Sequence, residues 1–194
     1  MKRILITGAL GQIGSELITF LRKRHGNGNI VASDIKPLPE GMIIQEGPFE
    51  HIDCLDAQKI YSVIKEYKID TIFHLAAILS ASGEKNPQLA WKVNINGLYN
   101  VLEMAREHRC SVFVPSSIAA FGPTTPKDNT PQETVQRPQT IYGLTKVTGE
   151  LLCDYYYSKY GVDTRGVRFP GIISYATLPG GGTTDYAVEI FYEA

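Results

Sequence analysis

The chain has 194 residues, a net charge of −1, and 43% hydrophobic against 20% charged residues. That length buries a full core in one domain or slightly more, and the even charge balance leaves no basic stripe for nucleic acid or an anionic membrane, so the expected partner is a small molecule. Cys54, Cys110 and Cys153 are odd in number, far apart and without a CxxC pair, and His25, His51, His74 and His108 lack ligand spacing. This argues against a disulfide framework or a metal site, and for a reducing, cytoplasmic compartment.

Lys2–Thr7 reads as a short buried strand that breaks into Gly8-Ala-Leu-Gly11-Gln12-Ile13-Gly14. The glycines end the apolar run well below the roughly 7–15 residues of a signal-peptide core, and nothing later is long and apolar enough to span a membrane. The next segment is a helix with Ile13, Leu17, Ile18, Phe20 and Leu21 on its apolar side and Arg22-Lys-Arg24 in its last turn, where cations suit the dipole. Strand, glycine turn, helix is the dinucleotide fingerprint: without Cβ atoms the turn lets a pyrophosphate reach the helix N-terminus and its free N–H groups. An ordinary tight turn is the plain alternative. Asn29–Ser33 is the next strand and runs into Asp34, 20 residues after Gly14. A carboxylate there accepts ribose hydroxyls and repels a 2′-phosphate, which favours NAD over NADP, with Lys36 the one nearby feature that speaks for a phosphate.

Lys36–Gly41 is a Pro/Gly-rich loop, and Phe49–Ile52 a short strand closed by Asp53-Cys54, with Asp53 placed to hold an adenine edge. Asp56 is expected to N-cap a helix carrying Ile60, Val63 and Ile64. Thr71–Leu75 is a buried strand ending in Ala76-Ala77, small enough for a ribose to approach the backbone. A long helix spans about 87–108, where Asn94 either orients backbone or water at the site or is satisfied among the helices. Ser111–Pro115 is the next strand with Ser116-Ser117 at its carboxyl end, 118–138 an irregular crossing, and Tyr142 opens a helix to about Tyr160. Asp163–Arg168 is the sixth strand. The alternation predicts an α/β fold, a doubly wound, mostly parallel Rossmann-type sheet over residues 1–172. Residues 173–194 read as the beginning of a smaller substrate-binding domain: Leu178–Thr183 is a connection and Thr184–Tyr192 a helix that stops without a cap, which reads as a fragment.

Three tyrosines precede a lysine by four residues: Tyr61-Lys65, Tyr142-Lys146 and Tyr155-Lys159. Chance alone supplies about 0.6 such pairs at helical-neighbour spacing. The first lies on a crossover helix, away from the strand carboxyl ends where ligands bind in open α/β sheets. Tyr155 lies 13 residues beyond Tyr142 on one helix, roughly 20 Å along and turned by about 220°. Tyr142, Lys146 and Ser117 remain as a triad. A phenol of pKa about 10 is ionised once in about a thousand at pH 7, and bringing it to neutrality takes roughly 4 kcal/mol of stabilisation. An adjacent ammonium and an oxidised nicotinamide can supply it. The phenolate would take a hydroxyl proton while hydride leaves the same carbon, Ser117 would hold the substrate oxygen, and Lys146 would bind the nicotinamide ribose.

Gly8xxGly11xxGly14, Ser117-Ile-Ala-Ala-Phe-Gly122, Tyr142xxxLys146 and Arg168-Phe-Pro-Gly171 together resemble the extended short-chain dehydrogenase/reductases over nearly the whole chain. Within that group, Ile78–Glu84, Gly171–Tyr175 and Gly182–Ile190 resemble the short-chain type of L-threonine 3-dehydrogenase. The resemblance implies NAD-dependent oxidation of L-threonine to 2-amino-3-oxobutyrate. Tyr142 then matches the base, Lys146 its partner and Ser117 the hydroxyl-binding residue, while Ser80 and one of Thr183 or Thr184 match positions that touch the amino acid; as plain residues these are loop hydroxyls. The coenzyme set it implies is Gly8, Gly11, Gln12, Ile13, Gly14, Asp34, Ile35, Asp53, Cys54, Leu75, Ala76, Ala77, Asn94, Tyr142, Lys146, Pro170 and Ile172. It also implies a homodimer joined through helices near 87–108 and 142–160, and a C-terminal region longer than this chain has. Two alternatives stay open: a nucleotide-sugar epimerase or dehydratase using the same fold, coenzyme and triad, and a non-catalytic dinucleotide sensor.

Overall fold

The computed structural model describes residues 3–39, 46–174 and Ile190. Six strands, β1 (Ile4–Thr7), β2 (Ile30–Asp34), β3 (Phe49–His51), β4 (Thr71–His74), β5 (Ser111–Ser117) and β6 (Thr164–Phe169), form one sheet in the order β3-β2-β1-β4-β5-β6, with every pairing parallel. Each residue of β1 and β2 is buried, because helices cover both faces of the sheet centre; that is why these strands are apolar runs instead of alternating patterns. On one face, α1 (Gln12–His25) packs Ile18 and Leu21 onto Ile4, Ile6, Ile30 and Ala32. On the other, α2 (Ala57–Tyr67), α5 (Leu98–His108) and α6 (Ile141–Tyr160) pack Ile60, Val63, Val101, Leu102 and Tyr156 over Leu5, Ile72 and Val112. The strand order reverses between β1 and β4, and the crevice of this Rossmann-type sheet opens there, beyond the strand carboxyl ends.

Asp56 caps α2 by accepting from the Lys59 N–H at 3.0 Å, as its position predicts. The long helix expected over 87–108 is built of three parts: α4 (Pro87–Trp91), a π-helical segment Lys92–Gly97, and α5. A π turn admits one extra residue without disturbing the apolar periodicity of the flanking turns, so the sequence pattern does not register it. A six-residue helix, α3 (Ser80–Lys85), was also not expected. Strand β5 continues through Ser116 and Ser117 because β6 pairs with it as far as Ser117 opposite Phe169, so the two serines end the strand and do not follow it. Thr183, Thr184 and the expected helix 184–192 lie outside the described residues. Among the described residues no helix is long and apolar enough to cross a membrane, and no three metal-binding side chains cluster.

Gly8 has φ of +69°, and a Cβ there would lie 2.6 Å from the Ala76 backbone nitrogen. Gly161 has nearly the same dihedral, φ +70°, with nothing within 4 Å of a Cβ. Gly161→Ala should therefore cost about 1 kcal/mol of stability from backbone strain, whereas Gly8→Ala should cost about 3 kcal/mol or more because strain and overlap combine. Urea unfolding of the two variants measures the difference.

Candidate functional site

The glycine turn is fixed from both sides. Ala9 N–H donates to the Ser33 carbonyl at 2.9 Å, and a Cβ at Gly14 would lie 2.5 Å from the Gly8 carbonyl oxygen, so the turn folds back on itself in a way only glycine permits. Helix α1 starts after Gly11 with no side-chain cap, which leaves the N–H groups of its first turn for an anion. Asp34, nearly buried at the end of β2, accepts from the Leu10 N–H and the Lys36 N–H, both at 3.0 Å. Its carboxylate thus pins the glycine turn, and each oxygen keeps acceptor capacity for a diol.

Across the crevice, β5 delivers Ser117 and α6 delivers Tyr142 and Lys146. Thr140 caps α6 by accepting from the Gly143 N–H at 3.0 Å, and Glu84 of α3 accepts from the Ile141 N–H at 2.8 Å. A Cβ at Gly143 would lie 2.2 Å from the Ala119 carbonyl oxygen, so the first turn of α6 rests directly on the turn after Ser117. The Ser117 hydroxyl accepts from the Ala119 N–H at 3.1 Å and neighbours the Tyr142 phenol, whose ionised form it favours, and the Lys146 ammonium lies 5.2 Å from the Tyr142 ring centre while donating to the Pro115 carbonyl at 2.8 Å. A cavity of about 490 Å³ runs from here beneath α6, lined among others by His74, Ala76, Asn94, Ser116, Lys146 and Glu150.

The sequence profile of the NAD-dependent epimerase/dehydratase family matches residues 4–185. The chain belongs to that family. A curated relative from Staphylococcus saprophyticus, named an uncharacterized epimerase/dehydratase, is 56% identical over all 194 residues of this chain and 61% of its own length. The crystal structure of L-threonine dehydrogenase from Clostridium difficile is 60% identical with a TM-score of 0.95, over 100% of this chain and 61% of that one. A monomeric L-threonine 3-dehydrogenase from a metagenome is 52% identical with a TM-score of 0.93, over 98% and 61%. The chain therefore spans about 61% of the length of these relatives.

NAD, the coenzyme of this epimerase/dehydratase family, fits the crevice. The uncapped helix start suits its pyrophosphate, Asp34 suits a ribose diol, and Gln12 keeps a buried Nε2 with no partner among the described residues, a donor left at the mouth of the glycine turn. Leu75, Ala76 and Ala77 form the opposite wall, with the Leu75 N–H held on the Thr7 carbonyl at 3.1 Å. Ile13 opens α1 beside Gln12, Ile35 is exposed just past Asp34, and Pro170 and Ile172 follow β6 toward α1, where the Ser174 hydroxyl donates to Glu16 at 2.6 Å.

Three of the expected coenzyme contacts also have structural partners. Asp53 accepts from the Leu55 N–H at 2.9 Å and so shapes its own turn. The Cys54 thiol is buried against Gly97, where a Cβ would come within 2.6 Å of the sulfur, so it packs the π segment instead of facing the crevice. Asn94 accepts from the Ile78 N–H at 2.8 Å and donates to the Ile78 carbonyl at 3.0 Å and to Thr145 at 3.1 Å. Both its N–H groups are spent, and it orients the backbone leading to Ser80, which begins α3. The competing pairs stay outside: the Tyr61 ring leans on His108 and Tyr155 meets Tyr156 and Tyr160 on the outer face of α6.

The charge states depart from expectation. Burial raises the Tyr142 phenol above its ordinary value, and the Ser117 hydrogen bond only opposes this. Burial also pushes Lys146 down to about 8, opposed by the charge of Glu150. In a low-dielectric pocket both neutral forms are favoured, which outweighs the expected help of the ammonium to the phenol. His74, unremarkable in the sequence, ends β4 fully enclosed with Nδ1 hydrogen-bonded to the Thr7 hydroxyl at 2.8 Å and Nε2 without a partner among the described residues. Burial, then the Lys146 charge, pushes it down to about 4. Nothing in its spacing marks it; only the strand end it occupies does.

The unfolded chain binds a proton at His74 near the ordinary value of about 6.5 while the folded chain does so only near 4. The stability that neutral His74 contributes is complete above 6.5 and is lost as the pH falls toward 4, on the order of 3 kcal/mol. His74→Asn should show a correspondingly smaller loss between pH 7 and pH 4.5, read from urea midpoints at the two values.

Proposed function

We propose that this chain carries the coenzyme domain, residues 1–172, and the reacting groups of an NAD-dependent dehydrogenase that oxidises the β-hydroxyl of L-threonine to 2-amino-3-oxobutyrate. The observation that carries this reading is the Ser117 hydroxyl placed where it favours the ionised form of the Tyr142 phenol, with the Lys146 ammonium 5.2 Å from the phenol ring centre. Ser117 holds the substrate oxygen, Tyr142 takes the hydroxyl proton, and Lys146 supplies positive charge next to the phenolate and a donor for the ribose hydroxyls. When bound, NAD⁺ supplies the hydride acceptor at nicotinamide C4 and a second positive charge. That second charge is the lowering influence on the phenol that burial withholds from the free chain. Ser80 on α3, with Thr183 or Thr184, contacts the amino-acid part of the substrate, and residues 173–194 begin the domain that presents the latter pair.

Support for threonine over other alcohols comes from the Ile78–Glu84 and Gly171–Ile190 segments and from the two threonine dehydrogenase neighbours. The family name and that of the staphylococcal relative favour a second reading, a nucleotide-sugar epimerase or dehydratase that returns the hydride to its substrate. NADH absorbance separates them, measured at the length of the relatives with threonine, serine and a UDP-sugar in parallel. Net NADH should accumulate with threonine, and Tyr142→Phe should lower kcat/KM at least about 100-fold. Accumulation with none of the three, or undiminished turnover in Tyr142→Phe, rejects the assignment.

The same reading places the protein in the cytoplasm, where its thiols stay free, and makes it a dimer through α4, α5 and α6. Trp91, Tyr99, Leu151, Tyr155 and Tyr157 stand exposed on these helices, a concentration of large apolar side chains suited to a partner surface. Sedimentation should give twice the monomer mass, falling to the monomer for Leu151→Glu with Tyr157→Glu. A parent that sediments as a monomer would align the protein instead with the neighbour named monomeric.

A further inference from the structure

One helical turn beyond Lys146, Glu150 accepts hydrogen bonds from three other parts of the chain. Arg168 of β6 donates Nε to Oε1 at 2.9 Å and Nη2 to Oε2 at 2.7 Å, Gln136 of the crossing segment donates to Oε2 at 3.0 Å, and Ser116 of β5 donates its hydroxyl to Oε1. Arg168 is anchored in turn: Nη1 donates to the Gln132 carbonyl at 2.9 Å, and the guanidinium sits 5.3 Å from the centre of the Phe121 ring. The carboxylate and guanidinium side chains are only 21% and 18% exposed. A half-buried ion pair adds little net stability over well-packed apolar residues, so energy alone does not account for it. Its geometry does: a bidentate pair with every remaining site filled fixes orientation as well as distance.

Each end of this network adjoins a reacting group. Ser116 immediately precedes Ser117, Glu150 follows Lys146 by one turn, and Gln132, Gln136 and Phe121 belong to the segment that crosses the site. We propose that Glu150 is the positioning residue of this site, the carboxylate on which the crossing segment, Ser116 and Arg168 are hung and whose charge faces Lys146 along α6. This rests on the reading of Ser117, Tyr142 and Lys146 as the reacting set.

The charged and titratable groups around the pair are Tyr142, Cys153 and Asp154 on α6, Arg165 and Arg168 on β6 and His74 on β4. Burial pushes Glu150 up, but its bonds to Arg168, Ser116 and Gln136 outweigh this and hold it below the ordinary carboxylate range. It is therefore an anion at neutral pH, and its charge opposes the burial that pushes Lys146 down to about 8. Arg168 moderates the same charge. Removing the carboxylate lowers the Lys146 midpoint further; removing the guanidinium uncovers the carboxylate and raises it.

The test compares Glu150→Gln and Arg168→Met with the parent at the length of its relatives. Isotope-labelled lysine reports the Lys146 titration by NMR without coenzyme, and the pH profile of kcat/KM reports the reaction. The expected result is a lower Lys146 midpoint in Glu150→Gln and a higher one in Arg168→Met. Glu150→Gln should also lose about tenfold in kcat/KM at neutral pH, as is usual for groups that orient a reacting residue, and Glu150→Asp should restore part of it. Loose packing cannot move the two midpoints in opposite directions. Midpoints that stay put, or that move together, overturn the proposal whatever the substrate is. Should Glu150→Gln fail to fold, the direction of the Arg168→Met midpoint decides alone. Absence of threonine turnover with the opposite shifts intact rejects the substrate reading and leaves the positioning role standing.

Discussion

Where the strand order reverses, the backbone of the glycine turn rests directly on the backbone after β4. A side-chain carbon at Gly8 would sit 2.6 Å from the Ala76 nitrogen, and one at Gly14 would sit 2.5 Å from the Gly8 oxygen. No other residue type closes this seam, and closing it does three things at once. It aims the uncapped start of α1 into the crevice, brings the Ala76-Ala77 wall opposite, and leaves Asp34 against the Leu10 N–H, where it secures the turn. The conformational cost of glycine is accepted at this seam because an anion site made of backbone needs backbone at its surface.

On the far side of the seam the controlling influence is burial. It works against both side-chain charges the proposed chemistry uses, raising the phenol and lowering the ammonium, and it holds the neighbouring imidazole neutral. The free chain therefore keeps the phenol neutral and brings the lysine midpoint close to physiological pH, and an oxidised coenzyme and Glu150 act in opposite senses on Lys146. A cation over the pocket stabilises phenolate and disfavours ammonium; an anion behind the helix restores the ammonium. The pair Glu150 and Arg168, nearly neutral as a whole, sets that counterweight without burying a net charge.

The layout of the sheet was legible because long parallel strands are apolar runs and the glycine turn has a fixed position among them. The positions of Asp34, Ser117, Tyr142 and Lys146 were legible for the same reason: each lies at a strand end or in the first two turns of a helix, where spacing translates into place. For Asp53 and Cys54, position near a strand end says nothing of where a side chain points; both turn inward, to a backbone N–H and to the space that Gly97 leaves, while Asn94 orients backbone, one of the two roles its sequence position allows. His74, Glu150 and the pairing role of Arg168 escaped notice because their meaning lies in contacts across 14 residues or more, such as Arg168 to Glu150, and no period in the sequence records such a pairing. The π segment escaped for the opposite reason, since its apolar pattern is that of an unbroken helix.

Of the segments that point to threonine, Ile78–Glu84 carries no proposed catalytic residue, yet it is tied to the helix turn of Tyr142. Ile78 is held by both functions of the Asn94 amide, Ser80 starts α3 directly after it, and Glu84 at the end of α3 accepts the Ile141 N–H at 2.8 Å, one residue before Tyr142. Gly83 packs on Ile141, and a Cβ there would already be at 3.4 Å. Asn94 reaches Thr145 on the same helix. The loop through Ser80 and the first turn of α6 therefore form one hydrogen-bonded body, so under the proposed function a ligand seated at Ser80 would be registered against Tyr142 without further adjustment. Specificity can then reside in residues that do no chemistry, because the distance between what is recognised and what reacts is set by Asn94 and Glu84 before any ligand arrives.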